Sequence, residues 1–137
     1  MAAQLQTSKR PNIVLVMSDQ HNASIMGCAG NKIVKTPNLD RLAETGVRLT
    51  DLNCPSPLCV PSRMGFMTAQ YPSNVDVFDN ASQLSPTVPT FAHSLGSNGS
   101  EAVLCGRMHF TNHAELHGFE SHLVGDCQYG SILSSEI

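Results

Sequence analysis

The chain has 137 residues, 41% of them hydrophobic and 14% charged, with a formal net charge of −3. That suits one globular domain burying roughly two-thirds of its unfolded surface, and excludes a disordered chain. The charge gives no electrostatic case for nucleic acid or an anionic membrane surface as partner.

Five cysteines, at 28, 54, 59, 105 and 127, are odd in number and contain no C-x-x-C pair. They read as reduced thiols, not as a disulfide framework. Met1 to Pro11 is polar and lacks the apolar core of a signal peptide, and the first apolar run, Ile13 to Met17, is too short to span a membrane. A cytoplasmic location is the expectation.

In chain order, Asn12 to Met17 is an unbroken aliphatic run, the pattern of a strand buried on both faces of a parallel sheet. It ends in Ser18-Asp19-Gln20-His21-Asn22. Ligands of open α/β sheets collect beyond the carboxyl ends of strands. Asp19 and Gln20 are hard oxygen donors there, suited to Ca²⁺ or Mg²⁺, although an Asp/Asn turn after a strand has the same look. A Gly-rich loop, 27–35, leads to Thr36-Pro37-Asn38-Leu39-Asp40, where Thr36 caps a helix, Pro37 takes its first position and Gly46 ends it. Leu39, Leu42 and Ala43 make its apolar face. Val47 to Asp51 then alternates as a short strand.

The segment Asn53 to Arg63 is a proline-studded approach to Cys59, followed by Pro61-Ser62-Arg63 and an apolar run. Proline is tolerated in a first helical turn, so a helix is expected to begin near Pro61, with Cys59 at or just before its N-terminus. That setting favours anionic species and the thiolate. Arg63, one turn in, suits a carboxylate, phosphate or sulfate ester. A buried structural cysteine beside a helix-starting proline fits the same residues.

Beyond it, Tyr71 to Asn74 is a turn and Val75 to Pro89 is polar and broken by prolines. Thr90 to Leu95 reads as a packing helix closed by the region of Gly96 to Gly99, with His93 structural. Ala102 to Cys105 is a strand running into Gly106-Arg107-Met108-His109-Phe110. His113, His117 and His122 match no standard zinc spacing and are read as loop residues.

Cys59-Val60-Pro61-Ser62-Arg63 resembles the C-x-P-S-R element of type I sulfatases, in which the cysteine becomes formylglycine. Ala69 departs from the family's glycine, and Val60 stands where a smaller residue is usual. Thr36 to Gly46 is similar to the T-P-N-L-D-x-L-A-x-x-G segment. Asp19-Gln20 stands where Asp-Asp is usual, a pair also found in choline-sulfatase-like and phosphonate-hydrolase-like relatives. Gly106-Arg107-Met108-His109 resembles G-K-x-H, with arginine in place of lysine. Leu116-His117-Gly118-Phe119-Glu120 resembles a choline-sulfatase segment, as do Pro57-Leu58 and Pro89 to His93.

The resemblance implies an α/β fold, the N-terminal part of an alkaline-phosphatase-like mixed or parallel sheet flanked by helices. Residues 1–137 would be an incomplete N-terminal portion of a sulfatase catalytic domain. It implies cleavage of small-molecule sulfate monoesters, active only with the rest of the domain or another chain. Cys59, matured by a formylglycine-generating enzyme, would be the nucleophile. Asp19, Gln20 and the modified Cys59 would bind a divalent metal, Ca²⁺ first, with Mg²⁺ or Mn²⁺ as alternatives. Arg63 and His109 would be catalytic, and Arg107 and His109 would contact the sulfate. Two readings stay beside it: phosphate or phosphonate ester hydrolysis on the same fold, and an inert module.

Overall fold

The computed structural model describes residues 10–112 and 115–125. The chain divides into two compact units, Met1–Asp51 and Leu52–Ile137. The Ser-rich end after Gly125, Cys127, His113 and the first nine residues lie outside the described residues.

The first unit is built on helix α1, Pro37–Thr45, with Thr36 at its N-cap, Pro37 at the first position and Gly46 at the C-cap. The expected boundaries hold because all three signals are local. Thr36 does its work differently. Its side chain accepts no backbone N–H of its own helix. The hydroxyl instead accepts from Gly27 N (2.8 Å) and donates to Asp40 Oδ1 (2.9 Å), which also accepts from Cys28 N (2.7 Å). The helix start thus pins a single turn of 3₁₀ helix, Gly27–Ala29. A Cβ at position 27 would meet the Asp40 carboxylate, so only glycine lets that close approach form.

Two expected strands are not found. Asn12–Met17 forms no strand among the described residues, and Val14 is 84% exposed. Val47–Asp51 likewise forms no ladder, and Val47 is 88% exposed. An aliphatic run specifies a need for burial, whereas a strand's hydrogen bonds must come from neighbouring strands. No residue of α1 is buried either, and Leu42 is mostly exposed.

The second unit holds the core. Helix α2, Cys59–Thr68, contributes Val60, Met64 and Met67, spaced four and three residues apart on one face. Val75, Val77 and Leu84 from the proline-broken stretch join them, with Ala92, Ala102, Met108 and Phe110. The stretch expected to be merely polar thus supplies three core side chains. Helix α3, Phe91–Ser97, packs Phe91 edge-on between Phe66 (5.5 Å) and Phe119 (6.1 Å).

Strand β1 is Val103–Leu104, shorter than expected, and it pairs in parallel with β2, Ser121–His122. The pairing continues past both strands through Glu120 N to Ala102 O (2.8 Å) and Gly106 N to Val124 O (3.0 Å). His122 therefore lies in a strand, and its Nε2 donates to Gly106 O (2.8 Å), correcting its reading as a loop residue. A parallel pair needs a crossover, and here residues 105–120 make it.

His117 does lie in a turn, as expected, but it is buried there, 6% exposed and packed on Phe110 with ring centroids 4.8 Å apart. Thr90 caps α3 in a reciprocal box with His93, and its hydroxyl also donates to His117 O (2.6 Å). His117 (φ 45°) and Gly118 (φ 94°) reverse the chain against α3. A Cβ on Gly118 would stand 2.7 Å from the His93 ring and closer still to its backbone nitrogen. Gly118→Ala is therefore expected to destabilise the chain by about 3 kcal/mol, from left-handed strain plus overpacking. A urea-denaturation midpoint within error of the parent's would refute this.

Candidate active site

Helix α2 begins at Cys59, two residues before the expected start. Leu58 is the extended N-cap (φ −98°, ψ 147°), and its carbonyl accepts from Ser62 N (3.0 Å). Pro61 falls at the third position, where a missing N–H is as harmless as at the first. Cys59 thus occupies the first helical position, half-buried, as an unbridged thiol. Ser56 Oγ accepts from Leu58 N, and Cys54 Sγ lies 2.8 Å from Ser62 Oγ, which ties the approach loop to the first turn.

The next N–H, that of Val60, donates to Asn80 Oδ1 (3.0 Å), twenty residues away. Asn80 sits in a turn fixed by Asp79, whose Oδ1 accepts from Ala81 N, Ser82 N and Ser82 Oγ. Those bonds, the Ser82 side chain first, hold the Asp79 carboxyl below its ordinary range. The sequence shows Asn80 only as part of an N-x-S triplet. Its signal is the Asp79-x-x-Ser82 turn pattern that positions it.

Arg63 follows Cys59 by one helical turn, so both project from one side of α2. It is only 8% exposed, and its guanidinium donates to Arg107 O (2.8 Å) in the crossover. Arg107 in turn places NH2 2.9 Å from His109 Nδ1. His109 has a left-handed backbone (φ 62°), between Met108 and Phe110, each 4% exposed. Those two anchors keep a conformation that costs a non-glycine residue of order 1 kcal/mol. The expected residues Arg63, Arg107 and His109 therefore form one connected chain of contacts, which begins one turn from Cys59.

Behind His109 lies a cavity of about 10 Å³, the size of one water molecule, walled by Val60, Met64, Leu84, Phe110 and His117. His117 Nδ1 is buried with no hydrogen-bond partner among the described residues. Burial pushes its imidazole below the ordinary histidine range; Glu115 opposes this and His93 adds to it.

Asp19 and Gln20 belong to the other unit, in an exposed turn where Gln20 is left-handed (φ 37°). Among the described residues no three His, Cys, Asp or Glu side chains gather as a metal cluster. No helix among them is long and apolar enough to cross a membrane.

The sulfatase family model matches residues 11–130, nearly the whole chain. The chain belongs to the sulfatase family. It is 39% identical over 120 residues to a choline-sulfatase of Rhizobium meliloti, covering 88% of this chain and 23% of that protein. It is 40% identical over 138 aligned residues to human steryl-sulfatase, covering 85% and 24% respectively. A solved structure of BT4656 in complex with its substrate D-glucosamine-2-N,6-O-disulfate superimposes with a TM-score of 0.78 at 32% identity, over 83% of this chain and 23% of that one. The fold class is accordingly α/β of the alkaline-phosphatase-like type, with helices and a small parallel sheet. The chain spans about a quarter of the length of these curated relatives.

Proposed function

We propose that this sulfatase-family chain is the N-terminal portion of a catalytic domain that hydrolyses sulfate monoesters of small molecules once the rest of the domain is present. The observation that carries the reading is the contact chain from α2 to the crossover. Cys59 opens the helix, and Arg63, one turn on, is bonded to the backbone of Arg107, whose guanidinium reaches His109. A thiol alone would be a poor agent here, since a thiosulfate ester has no internal route to release.

Cys59 fits conversion to formylglycine: it is unbridged, half-buried and at a helix start whose N–H groups and dipole favour oxyanions. Asp19 and Gln20 fit a hard divalent cation, Ca²⁺ in the first place, as two adjacent oxygen donors of the six to eight that such an ion takes. When present, the hydrated aldehyde supplies the attacking oxygen and the means of releasing sulfate, and the cation supplies Lewis acidity. Arg63 and Arg107 place two permanent positive charges where sulfate oxygens gather charge. His109 offers a ring N–H to an ester or sulfate oxygen. A formylglycine-generating enzyme is the maturation partner.

The test is hydrolysis of aryl sulfate by the complete protein before and after chelation. Activity is expected to fall at least about 100-fold with chelator and to return with Ca²⁺. Retention of full activity after exhaustive chelation would remove Asp19 and Gln20 from the reading. A faster rate on aryl phosphonate than on aryl sulfate would move the assignment to phosphonate esters, which the Asp19-Gln20 pair also suits.

A further inference from the structure

We infer that His122 is a positioning residue: its ring N–H clamps the Gly106 carbonyl and thereby fixes where His109 meets the ester. The inference rests on the sulfatase reading for its purpose, and on the tethers of the crossover for its geometry. His122 lies half-buried in β2, with its Nε2 2.8 Å from Gly106 O. A carbonyl oxygen only accepts, so the nitrogen facing it carries the proton. The amide of the same residue, Gly106 N, donates to Val124 O (3.0 Å). Strand β2 and its continuation thus hold both polar groups of the residue at which the chain turns away from the sheet (φ 96°).

The next two residues are held as well. Arg63 donates to Arg107 O (2.8 Å), and Met108 is 4% exposed in the core. Each residue from Gly106 to Met108 is therefore tied, and His109 comes next. A short imidazole goes where its backbone puts it, whereas the long Arg107 side chain has rotamers with which to re-aim. Release of the Gly106 carbonyl would let the turn shift, and a displacement of about 1 Å at a reacting group costs up to about 100-fold in rate. Position 122 lies outside every family motif matched above, and the parallel pairing of β2 with β1 is what brings it to the crossover.

The test is a double-mutant cycle in aryl sulfate hydrolysis by the complete protein, pairing His122→Leu with His109→Ala. Alone, His122→Leu is expected to lower kcat/KM about tenfold, the scale of one well-made hydrogen bond. In the His109→Ala background it should cost less than about twofold, because the group it positions is gone. His122→Gln keeps a side-chain N–H donor and should return the rate to within about threefold of the parent. Equal losses in the two backgrounds, as for a merely structural tether, or a glutamine variant no better than the leucine one, would overturn the inference. A ¹⁵N–¹H spectrum of the parent's histidine rings near pH 8, about 1.5 units above an unperturbed imidazole pKa, decides even if the leucine variant does not fold. The His122 signals are those that His122→Gln removes. Their proton is expected on Nε2, and a proton on Nδ1 overturns the inference. A parent inactive on aryl sulfate would instead remove the sulfatase reading itself.

Discussion

Replacing Cys59 by alanine is expected to lower aryl sulfate hydrolysis by the complete protein by about 10⁴-fold or more, the scale on which removal of a nucleophile is felt. No other group in the contact chain can take its place. Arg63 and Arg107 are permanently protonated, and His109 lies in the crossover with a guanidinium against its ring. The fold should hardly notice the change. Cys59 is only half-buried at a first helical position, and alanine is a good helix former there, so the denaturation midpoint should stay within about 0.5 kcal/mol. Mass spectrometry of the tryptic peptide Leu49–Arg63 from the parent should show the thiol-to-aldehyde loss at Cys59. Full hydrolysis by the alanine variant would end the formylglycine reading outright.

The second large effect is expected at His109, where two substitutions separate hydrogen-bond donation from proton transfer. If His109 donates to the ester as proposed, His109→Ala should cost about 10² to 10³-fold in kcat/KM, as for loss of one oxyanion-type donor. His109→Gln keeps a side-chain N–H donor but no group that can take up or release a proton, and should recover activity to within about tenfold of the parent if donation is the whole role. Equal loss in both variants would mean that the ring moves a proton. Both substitutions carry the same left-handed strain at φ 62°, so the backbone contribution cancels in the comparison.

What the sequence disclosed follows the range of the forces involved. Helices α1 and α3 were legible at their starts because Thr36-Pro37 and Thr90 act within four residues. The start of α2 was missed by two residues, since Pro61 is equally comfortable at the first and third positions. Arg63, Arg107 and His109 were legible as residue types from their resemblance to family motifs, but their linkage was not. The bond from Arg63 goes to a carbonyl 44 residues away, and nothing local specifies it. Asn80 was hidden for the same reason, being a cap supplied from outside its helix. Strand β2 carries Ser121 and His122, which have no strand signature, and only pairing with Val103 and Leu104 makes them a strand. The aliphatic run 12–17 is the converse, a strong signature that forms no strand among the described residues.

The bond from Arg63 is made to the main chain of residue 107 and not to its side chain. Every amino acid brings that carbonyl, so the anchor is indifferent to which residue stands there. An ancestor could exchange lysine for arginine at 107 without loosening the crossover, and be selected on the head group alone. The position is thus a dial set in a rigid mount: on the proposed reading, a change of head group there would alter how charge meets the ester, while the anchoring bond stays the same.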